Sequence, residues 1–241
     1  MKKPTIASII YWVVITLLLA ALITVSVLYG LKQGKVEEEE PSYYDRKCAA
    51  FSLENYNYSR EQIVFIGDSI TDGYPLDSFY GDLPLKTYNR GISGDTTSGV
   101  YRRLQLSLFD LAPVKVVLMI GINDINLGLT NDEIMKNYTD IVKEITENLP
   151  TAELTCLSVL PMNDIVELYG VNLANATARI KELNERIKIL AESKNCRYVD
   201  LFTHFADEND HLITDYSNDG LHPNQAGYTV WTNVLMPYLA D

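Results

Sequence analysis

From Glu61 to the carboxyl terminus, short apolar runs alternate with longer stretches of helical spacing, and this order restricts the fold more than any other feature. It predicts strands over 63–66, 86–89, 114–120, 154–160 and 197–201. Helices are expected over 97–110, 131–148, 171–193 and 224–239. Asn131 followed by Asp132 and Glu133 supplies an amino-terminal cap and acids that favour the helix dipole. Ile180, Leu183, Ile187 and Leu190 recur at helical spacing, the pattern of a core-facing stripe. Val116-Val117-Leu118-Met119-Ile120 is apolar without alternation, as expected of a strand covered on both faces. Strand–helix alternation of this kind implies a parallel sheet in a three-layer α/β/α domain.

In a parallel sheet the carboxyl ends of the strands share one edge, where open α/β sheets place their ligands. Three strands end in small polar clusters: Gly67-Asp68-Ser69, then Asn89-Arg90-Gly91-Ile92-Ser93-Gly94-Asp95, then Gly121-Ile122-Asn123-Asp124. A fourth cluster, Asp219-Gly220-Leu221-His222-Pro223, stands near the carboxyl terminus. Acyl transfer needs a nucleophile, a base, a group that orients the base, and donors for the developing oxyanion. Ser69 fits the nucleophile. Of the three histidines, His204 and His211 lie in or beside acidic segments, whereas His222 sits in a tight turn three residues after Asp219. That spacing lets the carboxylate fold back onto the imidazole and fix its tautomer. The expected oxyanion donors are the N–H of Ser69, the N–H of Gly91 and the amide of Asn123. Taken singly, Asp219–His222 is more often a capped turn and Gly121–Asp124 a plain one. Their arrival in order, each cluster of 121–124 and before after a strand, is what favours a site.

These residues resemble a family. Gly67-Asp68-Ser69-Ile70, Gly91, Gly121-Ile122-Asn123-Asp124 and Asp219-Gly220-Leu221-His222 are similar to the four blocks of the SGNH hydrolases, also called GDSL esterases/lipases, with Ile70 where the family name has Leu. The resemblance covers roughly residues 61–241. It implies a flavodoxin-like α/β/α fold with Ser69 as nucleophile, His222 as general base and Asp219 as its orienting acid. It also implies an oxyanion hole of Ser69, Gly91 and Asn123, and neither a metal nor an organic cofactor. The turn is not Gly-x-Ser-x-Gly, so the nucleophile elbow of the α/β-hydrolases is not expected.

Residues 4–31 carry no charge and are rich in Ile, Val and Leu. At about 1.5 Å per residue they can cross a hydrocarbon core of roughly 30 Å with some tilt. The run is longer than the core of a cleaved signal peptide and ends in Val-Leu-Tyr-Gly-Leu, a poor cleavage site. Residues 1–31 therefore read as a short basic tail and a transmembrane signal anchor, 32–60 as an acidic spacer and lead-in, and 61–241 as the hydrolase domain. Lys2 and Lys3 nearly balance Lys32 and Lys35 under the positive-inside rule. The expected orientation has the amino terminus inside and the domain outside.

After Val36 the chain holds 16 basic against 32 acidic residues, a net charge of −16, which disfavours nucleic acid as a partner. Cys48, Cys156 and Cys196 form neither a disulfide framework nor a zinc pattern, and Cys156 reads as a small buried hydrophobe. The expected activity is a membrane-anchored serine esterase acting on short acyl or O-acetyl esters, on glycans, or on lysophospholipids. An acyltransferase of the same fold and an inactive glycan-binding module are the alternatives. A metallophosphoesterase is disfavoured by the scarcity of histidine and the lack of a His-x-Asp pattern. Tyr74, Phe79, Tyr80 and Tyr169 lie in loops expected at the rim, where they either line a pocket or pack the loops.

Overall fold

The computed structural model describes residues 5–33 and 40–240. The chain divides into two units, Met1–Pro41 and Ser42–Asp241. In the first, helix α1 spans Ile6–Gln33, and its stretch Ile6–Tyr29 has a mean hydropathy of 2.7 with none of its most apolar window buried. Thr16 and Thr24 turn their hydroxyls back onto the carbonyls of Trp12 and Ala20. By length and composition α1 can serve as a membrane span or as a signal sequence.

In the second unit α2 (Tyr43–Asn55) leads to β1 (Ile63–Gly67), then to the short helices α3 (Ser69–Asp72) and α4 (Leu76–Tyr80). β2 (Thr87–Gly91), α5 (Thr97–Arg102), β3 (Lys115–Met119), α6 (Ile122–Asn126), α7 (Asn131–Asn148) and β4 (Glu153–Leu157) follow. The chain closes with α8 (Leu173–Ser193), β5 (Arg197–Val199), α9 (Phe202–Phe205) and α10 (Gln225–Leu239). The strands form one parallel sheet in the order β2-β1-β3-β4-β5. Every residue of β1 and of β3 is buried. Successive side chains of a strand face opposite sides, so both faces of the sheet are covered and the three-layer α/β/α expectation is met. The register sets Gly67 beside both Gly91 and Met119, which brings the ends of β2, β1 and β3 level. The strand order reverses at β1, the switch point where such sheets bind ligands.

Several elements differ from expectation, each for a visible reason. The helix expected over 97–110 stops at Arg102 and resumes as a π-helical turn over Gln105–Phe109. Arg103 has left the α region there, at φ −111° and ψ 13°. The strand expected over 154–160 ends at Leu157, because Asn184 of α8 takes over as hydrogen-bond partner. Its Oδ1 accepts from Val159 N–H at 2.7 Å and its Nδ2 donates to Val159 O at 2.9 Å. The last strand ends at Val199, and the next free N–H groups, of Leu201 and Phe202, donate to Ser158 Oγ. α2 lies inside the stretch read as spacer. Ser42 caps it, Phe51 is buried, and Asn55 Nδ2 donates to Leu106 O at 2.8 Å. All three cysteines are free thiols; Cys156 is fully buried, which pushes its thiol up to about 12.

Candidate active site

The end of β1 delivers Ser69 to the sheet edge. Asp68 caps α3, its Oδ1 accepting from Ile70 N–H at 3.0 Å, so Ser69 becomes the first residue of that helix. The C-terminal turn approaches from the other side of the sequence. Asp219 Oδ1 accepts from the N–H groups of Leu221 (3.0 Å) and His222 (2.8 Å), which folds the carboxylate under the imidazole. Asn224 then caps α10 by accepting from Ala226 and Gly227 N–H, which holds the turn on a fixed helix.

These two pieces meet. His222 Nδ1 lies 2.6 Å from Asp219 Oδ2, and His222 Nε2 lies 2.8 Å from Ser69 Oγ. With Asp219 ionised, Nδ1 carries the proton and donates it to the carboxylate, leaving Nε2 to accept from the serine hydroxyl. Partial burial alone would push the Asp219 carboxyl up. The backbone N–H and ring of His222 and the N–H of Leu221 outweigh it and hold the group down at about 2. A hydroxyl held this way can lose its proton as it attacks. His204 is exposed on α9, and the backbone N–H of His211 binds Asp207 Oδ1, so neither ring joins the line.

The donors around Ser69 differ in part from expectation. Asn123 is half-buried on α6 and donates through Nδ2 to Asp95 O at 2.8 Å, which leaves its second amide proton for another acceptor. Gly91 is a different case. Its N–H donates to Asn89 Oδ1 at 2.8 Å and is therefore engaged. The reason for glycine at 91 is steric: an added Cβ would stand 2.1 Å from Asp72 N, in the backbone of α3. Three residues on, Gly94 has φ +80°, open space around it, and an N–H with no partner among the described residues. Sequence alone does not separate the two glycines, because the difference is one of backbone angle and hydrogen bonding.

Buried polar groups that the motifs left without a role support this edge. Asp124 is fully buried and accepts from Thr97 N–H and, at 2.6 Å, Thr97 Oγ1, tying α6 to α5. Asp72 accepts from Tyr43, Lys47 and both donors of Ser93, joining α2 to the end of α3 and to the 91–95 loop. Asp68 is buried to 1% exposure. Burial pushes its carboxyl up to about 7, the Ile70 N–H opposes the rise, and Asp95 and Asp124 add to it. Tyr74 and Tyr80 are core residues that pack on each other, Tyr74 also on Tyr228 and Trp231, whereas Tyr169 is 76% exposed. A surface cavity of about 740 Å³ touches Glu153 and Arg197, the first residues of β4 and β5, and so lies at the opposite edge of the sheet. Among the described residues no group of three or more His, Cys, Asp or Glu is placed to hold a metal ion.

Known proteins with related sequences and folds fit this description. The GDSL-like Lipase/Acylhydrolase family matches residues 65–230. The platelet-activating factor acetylhydrolase IB subunit alpha1 of Bos taurus is 29% identical over 171 residues, 70% of each chain. An acetylxylan esterase of Geobacillus stearothermophilus is 25% identical over 209 residues, covering 74% of this chain and 93% of that protein. A solved GDSL-like lipase from Bacteroides thetaiotaomicron superimposes with a TM-score of 0.71 over 82% of this chain and 98% of its own. At 23% identity that likeness speaks for the fold.

Proposed function

The chain belongs to the GDSL-like lipase/acylhydrolase family and is a carboxylic ester hydrolase, and from there we propose that it is a membrane-anchored serine esterase that removes acetyl or similarly short acyl groups. The observation that carries the mechanism is the unbroken line Asp219 Oδ2, His222 Nδ1, His222 Nε2, Ser69 Oγ, at 2.6 and 2.8 Å. His222 takes the Ser69 proton as Oγ attacks the ester carbonyl. Asp219 stabilises the imidazolium that forms. The oxyanion is received by Ser69 N–H, the unused proton of Asn123 Nδ2, and Gly94 N–H in place of the engaged Gly91 N–H. His222 then returns the proton to the leaving alkoxide, which frees the alcohol and leaves acyl-Ser69. Water, activated by the same imidazole, attacks the acyl-serine and releases the acid.

Support for a short acyl group comes from the relatives, since an acetylhydrolase and an acetylxylan esterase are both named for removal of acetyl. α1 supports the anchor; the orientation we propose, from the short basic tail before it, has the catalytic unit on the outer side of the membrane. Residues 61–241 and the helix α2 before them form the catalytic part, and 1–31 the anchor. The test is hydrolysis of p-nitrophenyl esters of increasing chain length by the full chain in detergent. Acetate is expected to be the best substrate, and Ser69→Ala to lose at least about 10³-fold in kcat/KM. A Ser69→Ala form as active as the parent would overturn the mechanism. A preference for long acyl chains would overturn the substrate assignment.

A further inference from the structure

One buried guanidinium joins the ends of β1 and β2 to the 91–95 loop. Arg103, 3% exposed, sits just after α5, where the backbone leaves the helical region. Its Nη2 donates to Gly67 O at 2.8 Å, the carbonyl immediately before Asp68-Ser69. Its Nη1 donates to Arg90 O at 2.7 Å, at the end of β2, and to Ser107 Oγ at 2.9 Å. Its Nε donates to Asp95 Oδ2 at 2.8 Å. The backbone carbonyl of the same Asp95 receives Asn123 Nδ2. The nucleophile loop, the 91–95 loop and, through Asp95, the Asn123 amide are thus referred to a single planar group.

The local fold explains how the group reaches this place. Arg103 ends the regular helix, and a π-helical turn follows over Gln105–Phe109. Ser107 N–H donates to Arg103 O at 2.8 Å, the ordinary bond of one helical turn, which sets the Ser107 hydroxyl within reach of the guanidinium. Single π turns recur at functional positions. Arginine suits the task because its five donors lie in one rigid plane, so each acceptor fixes the others. A lysine would keep the charge but could not span two strand-end carbonyls and a carboxylate at once.

We propose that Arg103 is a positioning residue for catalysis: it sets the distance between Ser69 and the donors of the oxyanion site, and does so without touching substrate. The proposal rests on the mechanism above and goes beyond it, since it names what holds the donors in place. A displacement of about 1 Å at such a site can cost on the order of 10²-fold in rate. The effect falls on the tetrahedral state, where the oxyanion exists, and spares ground-state binding.

The test uses the full chain in detergent with p-nitrophenyl acetate, and methylboronic acid as a probe that forms a tetrahedral adduct on the serine. Arg103→Lys is expected to lower kcat about 10–10²-fold. KM should change less than about threefold, boronate inhibition should weaken by the same factor as kcat, and the acid limb of the pH profile should stay in place. A folded Arg103→Lys protein with kcat within about twofold of the parent, or a loss carried by KM alone, would overturn the proposal. Should Arg103→Lys fail to fold, Ser107→Ala removes one of the four bonds. It is expected to lower kcat by a smaller factor, about 3–10-fold, again in step with boronate affinity. Unchanged kcat in that variant counts against the proposal. Ser69→Ala separates the two readings: if it is inactive while Arg103→Lys is fully active, the serine mechanism stands and the positioning role falls.

Discussion

Two aspartates flank Ser69, and they are opposites. Asp219 lies in an open turn with 45% of its side chain exposed, accepts four hydrogen bonds, and is held down at about 2. Asp68 is buried, accepts one bond from Ile70 N–H, has Asp95 and Asp124 as acidic neighbours, and is pushed up to about 7. The number of donors aimed at a carboxylate, set against its burial, decides its charge. The carboxylate bonded to His222 is the one with solvent and donors. The acid next to Ser69 in sequence is a cap, and near neutral pH it carries its charge at a cost.

The largest effect that can break this contrast is on rate. Asp219→Asn keeps the shape but removes the charge and allows the wrong imidazole tautomer, so kcat should fall roughly 10²–10⁴-fold with KM little changed. A fall of less than tenfold in steady-state kinetics would mean that Asp219 only shapes the turn.

The next effect is on stability. Asp68 has a folded pKa raised from 3.8 to about 7, so its contribution is complete below 3.8 and lost as pH rises to about 7. Asp68→Asn retains an acceptor for Ile70 N–H and does not titrate. Its stability relative to the parent should therefore rise between pH 4 and 7, by up to about 4 kcal/mol at about 1.36 kcal/mol per unit. Urea unfolding at pH 4.5 and 8 checks this, and a difference that does not grow with pH rejects it. Hydrolysis by the variant should change less than Asp219→Asn changes it, because Asp68 touches neither Ser69 Oγ nor His222.

The smallest effect lies at the acid end. The Asp219 carboxyl is lowered from 3.8 to about 2, so its stabilisation is present above 3.8 and lost as pH falls through about 2. Exposure screens it, and the loss should be about 1 kcal/mol. Comparing acid unfolding of the parent with that of Asp219→Asn isolates it, and identical curves below pH 4 would show that the turn gains nothing from the charge.

Much of the fold was legible because its signals are local. Unalternating apolar runs such as Val116–Ile120 mark strands buried on both faces, and all five strands were readable from their alternation with helical stretches. Ser69, Asn123, Asp219 and His222 were nameable because histidines are few and each polar cluster stands in a distinct turn. What was not legible depends on geometry across long separations. Gly91 and Gly94 read alike until the φ of +80° at Gly94 and the Asn89 bond to Gly91 are seen. Arg103 reads as an ordinary helix arginine, since its acceptors Gly67 and Arg90 lie 36 and 13 residues away. α2 was hidden by the charge run Glu37–Glu40 before it and by its weak apolar stripe, with Phe51 its only fully buried residue.

α2 also bears on the order in which the chain assembles. Its partners come late in the sequence: Glu54 pairs with Arg90, Asn55 with Leu106 and Tyr44 with Gly99, at separations of 36, 51 and 55 residues. At about 5–20 residues per second of synthesis, roughly 3–10 s pass between the appearance of α2 and that of its last partner. The helix is made early and seated late. Until it docks, β2 brings the fully buried guanidinium of Arg90 into the core without the Glu54 carboxylate, the Asn55 carbonyl or the Phe51 ring that meet it there. Closure of the β2 edge, and with it the 91–95 loop, therefore waits on a segment that left the ribosome before any strand of the sheet.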